Sequence, residues 1–141
     1  MNKIVFLLVT LLSLGSCKPE TKPINYGSDE CDYCKMTIVD NQYASELVNS
    51  NGKTFVFDAA ECMLNYLNQS TTNEFSLILV TDYNRPGQLI DAQNAYFIRS
   101  KELPSPMGMY ITAINSKKDA IELKNQFGGE LFNFPALQKE F

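Results

Sequence analysis

The stretch ASELVNSNGKTFVFD, Ala44 to Asp58, carries the clearest local instruction in the chain. Ala44 to Val48 is strand-like and Lys53 to Asp58 alternates well enough to be the returning strand. Asn51-Gly52 between them is the strongest hairpin signal in the sequence, because both residues accept the positive φ that tight hairpin turns require. Just beyond, Asp58 can cap a helix with Glu61 three residues later, the spacing of a capping box, and Met63, Leu64 and Leu67 give that short helix a buried stripe. Phe75 to Val80 is continuously apolar and reads as a buried strand. The order is strand, strand, helix, strand, with Met36 to Asp40 as one more strand-like run upstream.

The same order recurs further along. Ala95 to Arg99 reads as a strand, a Pro-Ser-Pro-Met-Gly link follows, and Met109 to Ile114 reads as the next strand. Ser116 then caps a helix that runs to about Phe127, with Ala120, Leu123 and Phe127 on one face and Gly128-Gly129 at its end. Glu130 to Phe134 supplies a last strand before Pro135. Each half offers one short helix and three short strands, too little to bury a core comfortably alone. The expectation is therefore an α+β fold of two similar strand-strand-helix-strand units packed as one small body, with halves at about 31–83 and 88–135. A single sheet with two helices and no true repeat is the alternative.

Composition narrows the chemistry. The chain has 141 residues and a net charge of −4, enough for one ordinary domain and without the basic footprint of a nucleic-acid binder. It contains no His, which removes every Ser-His-Asp and Cys-His mechanism. Chemistry here must run on sulfur, carboxylate, amine or phenol.

The amino terminus reads as an address. Ile4 to Leu14 is apolar apart from Thr10 and Ser13 and follows Lys3, a stretch as long as a secretory signal core and too short to span a bilayer. Leu14-Gly15-Ser16-Cys17 resembles a bacterial lipobox, which makes 1–16 a lipoprotein signal peptide and Cys17 the lipidation site. Residues 17–30 then read as a lipidated, polar tether holding the folded part, 31–141, at a membrane facing the periplasm.

Three other thiols remain: Cys31, Cys34 and Cys62. In Cys31-Asp-Tyr-Cys34-Lys-Met36, a thiolate and a thioether two residues apart fall on one side of an extended segment, and soft sulfur donors select Cu(I). Competing chemistries use the same residues. Cys31 and Cys34 can form a disulfide in an oxidising compartment, or a redox pair, although a redox pair is usually followed by a helix and here Met-Thr-Ile-Val follows. A zinc site needs a fourth ligand recruited from Asp29, Glu30 or Asp32. Cys62 and Met63, on the first helix, read as core. Met107 and Met109, flanking Gly108, are either a second pair of soft donors or packing.

Taken together, Cys31-Asp-Tyr-Cys34-Lys-Met36-Thr-Ile, Phe57-Asp58 with Cys62-Met63, Pro106-Met107-Gly108 and the late Ala120 with Gly128-Gly129, behind a lipoprotein signal, resemble the NosL family. The resemblance runs from Cys31 to Phe134. It implies a fold of two repeated units similar to part of organomercurial lyase, and a Cu(I)-binding accessory lipoprotein, not an enzyme, that serves nitrous-oxide reductase. By position it implies Cys31, Cys34, Met36 and Met107 as metal ligands. Expected partners are apo nitrous-oxide reductase or another cuproprotein, the membrane through lipid on Cys17, and a second copy of the chain as a homodimer, with no nucleic acid. Lys35 stands where many relatives carry Gly, which argues against a positive φ there. The rival class is a thiol-dependent redox or organomercurial-lyase-like enzyme using Cys31 and Cys34.

Overall fold

The hairpin read from Asn51-Gly52 is present, and the fold is built outward from it. In the computed structural model, which describes residues 19–71 and 75–141, β1 (Ser45–Asn49) returns as β2 (Thr54–Phe57). Gly52 sits at φ 79°, and the Asn49 carboxamide oxygen accepts the backbone N–H groups of Asn51 and Lys53 at 3.0 and 2.8 Å. Helix α1 (Ala60–Gln69) follows, and β3 (Phe75–Thr81) comes back antiparallel to β1 on the side away from β2. A short β4 (Leu89–Asp91), which the sequence reading did not include, extends this sheet to the order β2-β1-β3-β4.

The second half repeats the plan. β5 (Tyr96–Arg99) pairs with β6 (Ile111–Ile114) by a hairpin, and α2 (Lys117–Phe127) leads to β7 (Glu130–Asn133), giving the order β6-β5-β7. In each unit the first strand is central, its hairpin partner lies on one side and the post-helix strand on the other. The Ser116 side chain caps α2 by accepting the Asp119 N–H at 3.1 Å. A final short helix, α3 (Phe134–Gln138), takes over at Phe134, the residue expected to close the last strand before Pro135; proline is well tolerated in a first helical turn, where its missing N–H has no partner to lose.

The two units share one core. Leu47, Phe57, Met63 and Val80 of the first half pack in a single buried cluster with Phe97, Ile111, Phe134 and Leu137 of the second. The opposite face of the second sheet, Ile98 and Ile114, is sealed separately by Ala120 and Leu123 of α2. Mixed helices and antiparallel sheets in one small body match the expected α+β class.

Three local expectations change. Met36 to Asp40 contributes only an isolated bridge, Glu30 to Thr37, because its backbone bonds go to a local turn, with the Ile38 N–H on the Asp29 carbonyl and the Ile38 carbonyl accepting the Gly27 N–H. The capping box does not form: Ala59 occupies the N-cap without a side-chain bond, and both Asp58 and Glu61 are drawn into the interior. The stretch read as a tether is packed on the body from Lys22, whose N–H donates to buried Glu46 at 3.1 Å, with Ile24 and Tyr26 against the core. Residues 1–16, read as a signal peptide, and Cys17, read as the lipidation site, lie outside the described residues.

Candidate metal centre

The segment from Glu30 to Thr37 is a tight knuckle laced to the edge of the first sheet. Asp32 donates its N–H to the Val56 carbonyl and accepts the Val56 N–H on its carboxylate, both at 2.8 Å, so its side chain closes the exposed edge of β2. Lys35 N–H donates to the Cys31 carbonyl at 3.0 Å, and Cys31 N–H to the Met36 carbonyl at 2.8 Å. Closing so short a loop forces Lys35 to φ 64°, a left-handed conformation that non-glycine residues adopt only at some cost. The expectation that Lys there argues against positive φ is overturned. The Lys35 ammonium donates to the Asp32 carbonyl at 2.8 Å and helps hold the turn.

The knuckle aims its thiols at the first turn of α1. The sulfur atoms of Cys31, Cys34 and Cys62 all lie within 4.8 Å of one another, and all three are free thiols. Two metal–sulfur bonds of about 2.3 Å laid end to end span about 4.6 Å, so the cluster is the size that one ion bridges. Cys31 and Cys62 are buried, while Cys34 is half-buried and forms the mouth. Cys62, read from sequence as core packing, supplies the third sulfur of the cluster. Every residue from Ala60 to Leu64 is buried, so the first turn of α1 has no solvent face, and a side chain off the predicted stripe still points into the protein.

Electrostatics at the cluster favour one thiolate. The Cys31 sulfur accepts the Cys62 thiol and the backbone N–H groups of Cys34, Asp58 and Tyr33, and these hold it down to about 5 against the opposing effect of burial. The Cys34 N–H lies 3.4 Å from that sulfur. Cys62 is pushed strongly upward because its proton is held by the Cys31 sulfur, and burial pushes Cys34 up. The contacts within the cluster thus favour the thiolate form on Cys31 over Cys34 and Cys62. Soft metals bind thiolate, so a metal bound by these sulfurs would meet one thiolate already favoured and would displace the protons of the other two.

The thioethers stand around this centre in different ways. The Met36 N–H faces the Cys34 sulfur, yet its side chain is 53% exposed. The positive φ at Lys35 removes the extended geometry on which its pairing with Cys34 was argued. Met107 packs partly buried against the core that includes Cys31 and Cys62, whereas Met109 is 38% exposed. Met63 is fully buried in the core, as expected. Of the carboxylates considered for zinc, Asp29 is held by the Asn25 N–H at 2.8 Å and Asp32 by Val56. Cys34 does not lead directly into a helix, so the helix-capped arrangement of a redox Cys-x-x-Cys pair is not built by Cys31 and Cys34.

Comparison with known proteins places this arrangement. No curated protein matches the chain. Among solved structures, the copper chaperone NosL from Shewanella denitrificans superposes with a TM-score of 0.74 at 23% identity, covering 84% of this chain and 95% of that one. This is a likeness of fold. The NosL family model matches residues 24–141, a span that contains the Cys31 knuckle, Cys62 and the Met107 loop together. With so much of the sequence accounted for by one model, the chain is a member of the NosL family.

Proposed function

We propose that this protein is a copper-binding chaperone that takes up Cu(I) at Cys31, Cys34 and Cys62 and passes it to an apo-cuproprotein. One observation carries the reading: three thiol sulfurs within 4.8 Å of one another, two buried and one at the mouth. Thiolate-rich sites of low coordination select Cu(I) over harder ions. The family membership and the name of the Shewanella protein support the same cargo. Met107 and Met36 are the thioethers that complete or relay the site.

Transfer follows from the gradient of exposure. Copper held by buried Cys31 and Cys62 leaves Cys34 as the sulfur an incoming donor meets first. Exchange at that position, then at the deeper thiols, moves the ion without freeing it into solvent. No bond in a substrate is broken. We further propose that the chain is exported, lipidated on Cys17 and anchored at the periplasmic side of a membrane, and that apo nitrous-oxide reductase is the recipient. A thiol enzyme is the second reading, favoured by the Cys31 thiolate; it predicts turnover of a disulfide or organomercurial substrate.

The test is an anaerobic titration of the reduced protein with Cu(I) against a chromophoric chelator, alongside Cys34→Ser and Cys62→Ser. The expected result is one tight equivalent that weakens in both variants. Binding unaffected by either substitution removes the site.

A further inference from the structure

Glu61 is an expensive residue to keep where it is. It lies in the first turn of α1 beside Cys62 and is 1% exposed. None of the ion pairs among the described residues involves it, and one of its carboxyl oxygens, Oε2, is buried without a hydrogen-bond partner among them. Burying a carboxyl without a cation is unfavourable. Its other oxygen shows what the carboxyl holds.

Oε1 accepts the hydroxyl of Ser105, itself buried. The Ser105 oxygen in turn accepts the Tyr110 N–H at 2.9 Å, and the Ser105 carbonyl accepts the Gly108 N–H at 3.0 Å. The backbone N–H groups of Ile111 and Met109 favour the charged form of the Glu61 carboxyl, but neither makes a hydrogen bond to Oε2. The loop from Ser105 to Tyr110 is thus closed on itself through Ser105 and hung on Glu61, and it carries Met107 and Met109 on either side of Gly108. Gly108 sits at φ 74° and Tyr110 at φ 63°. A tyrosine in that region persists only where its surroundings over-determine it, and the Glu61–Ser105 contact supplies the constraint.

The first turn of α1 therefore faces two ways at once. Cys62 meets the thiols of the knuckle in the first half of the chain, and Glu61, one residue earlier, grips the methionine loop of the second half. We propose that Glu61 and Ser105 form a buried strap that fixes the Met107 loop against the start of α1, and that Glu61 is a positioning residue for the thioether contribution to Cu(I) binding. This rests on the Cu(I) reading above. It assigns a task to a buried acid that the thiol site itself does not use, and it couples the two repeated halves through one helical turn.

The experiment measures Cu(I) affinity by chelator competition for the full reduced chain and for Glu61→Ala, Glu61→Gln, Ser105→Ala, Met107→Leu and the double variant Glu61→Ala with Met107→Leu. Co(II), followed by its sulfur-to-metal charge-transfer band, serves as a probe of thiolate binding alone. Loss of a residue that orients a metal ligand weakens binding by about 10–100-fold. Glu61→Ala and Ser105→Ala are expected to fall in that range, to match Met107→Leu, and to leave Co(II) binding unchanged. Glu61→Gln, which still accepts the Ser105 hydroxyl, is expected to restore most of the affinity, and the double variant to be no weaker than the weaker single.

Cu(I) affinity in Glu61→Ala equal to that of the unmodified chain overturns the strap while leaving the copper site standing. Losses that add in the double variant, or a parallel loss of Co(II) binding, show a general structural effect and also overturn it. If the unmodified chain binds no Cu(I), the copper reading fails first and the strap fails with it. Should Glu61→Ala not fold, Ser105→Ala decides the matter by the same criteria.

Discussion

Replacing Cys62 by Ala is the perturbation that most directly exposes how the thiol cluster works without metal. The Cys62 thiol is the largest single influence holding Cys31 down to about 5, and Ala removes it while leaving the backbone donors of Cys34, Asp58 and Tyr33. A hydrogen bond to a charged acceptor contributes about 1.5–3 kcal/mol. At about 1.4 kcal/mol per pH unit, its loss is expected to raise the Cys31 midpoint by about 1–2 units. Thiolate absorbance near 240 nm, followed against pH in the reduced apo-protein, reads this directly, and the pH profile of alkylation at Cys31 gives an independent value. Cys62→Ser keeps a donor at the same place and is expected to show the smaller rise. An unchanged midpoint in Cys62→Ala refutes the reasoning, because the cluster would then not share a proton.

Other consequences follow from the same geometry. Because the Cys31 pKa is depressed on folding, its contribution to stability is fully present above the ordinary thiol range and is lost as pH falls through about 5; the difference in unfolding free energy between the unmodified apo-chain and Cys31→Ser should shrink over that interval. Asp32→Ala leaves the Val56 N–H without its 2.8 Å acceptor, and urea unfolding is expected to show a loss of about 1–3 kcal/mol. Lys35→Gly relieves the left-handed turn at φ 64° and should leave thermal stability unchanged or raised by up to about 1 kcal/mol, whereas Lys35→Val should lower it. Gly129→Ala would press a Cβ into the Arg99 carbonyl oxygen at φ 99°, so a clear fall in the melting temperature is expected; a variant as stable as the parent contradicts the packing of β7 against β5.

Much of the fold was legible because its signals are local. Asn51-Gly52, the Ser116 cap and the continuous run from Phe75 act within a few residues of themselves, and each element they predict is present. The repeat was readable from element order, since both units place their first strand in the centre. What the sequence did not disclose depends on contacts between distant segments. The capping-box spacing at Asp58 and Glu61 was overridden because Glu61 finds Ser105, 44 residues away, a partner that no local pattern reveals.

The candidate site divides in the same manner. Cys31 and Cys34 announce themselves by spacing, and both lie in the cluster. Cys62 does not, because a cysteine beside an apolar stripe reads as core until the whole first turn of α1 is seen to be enclosed. The positive φ at Lys35 was hidden by residue type: the turn demands a conformation that Gly favours, and closure of the knuckle, with the lysine ammonium on the Asp32 carbonyl, holds Lys there. Met36 was paired with Cys34 on the assumption of an extended segment, and that assumption fails at the same turn.

The central claim, that one Cu(I) is held by the sulfurs of Cys31, Cys34 and Cys62, is tested most directly by copper K-edge X-ray absorption on the reduced chain loaded with one equivalent. The account predicts a Cu(I) edge and a first shell of sulfur alone, losing a scatterer in Cys62→Ser. A first shell of oxygen or nitrogen, or a sulfur shell unchanged by that substitution, contradicts it.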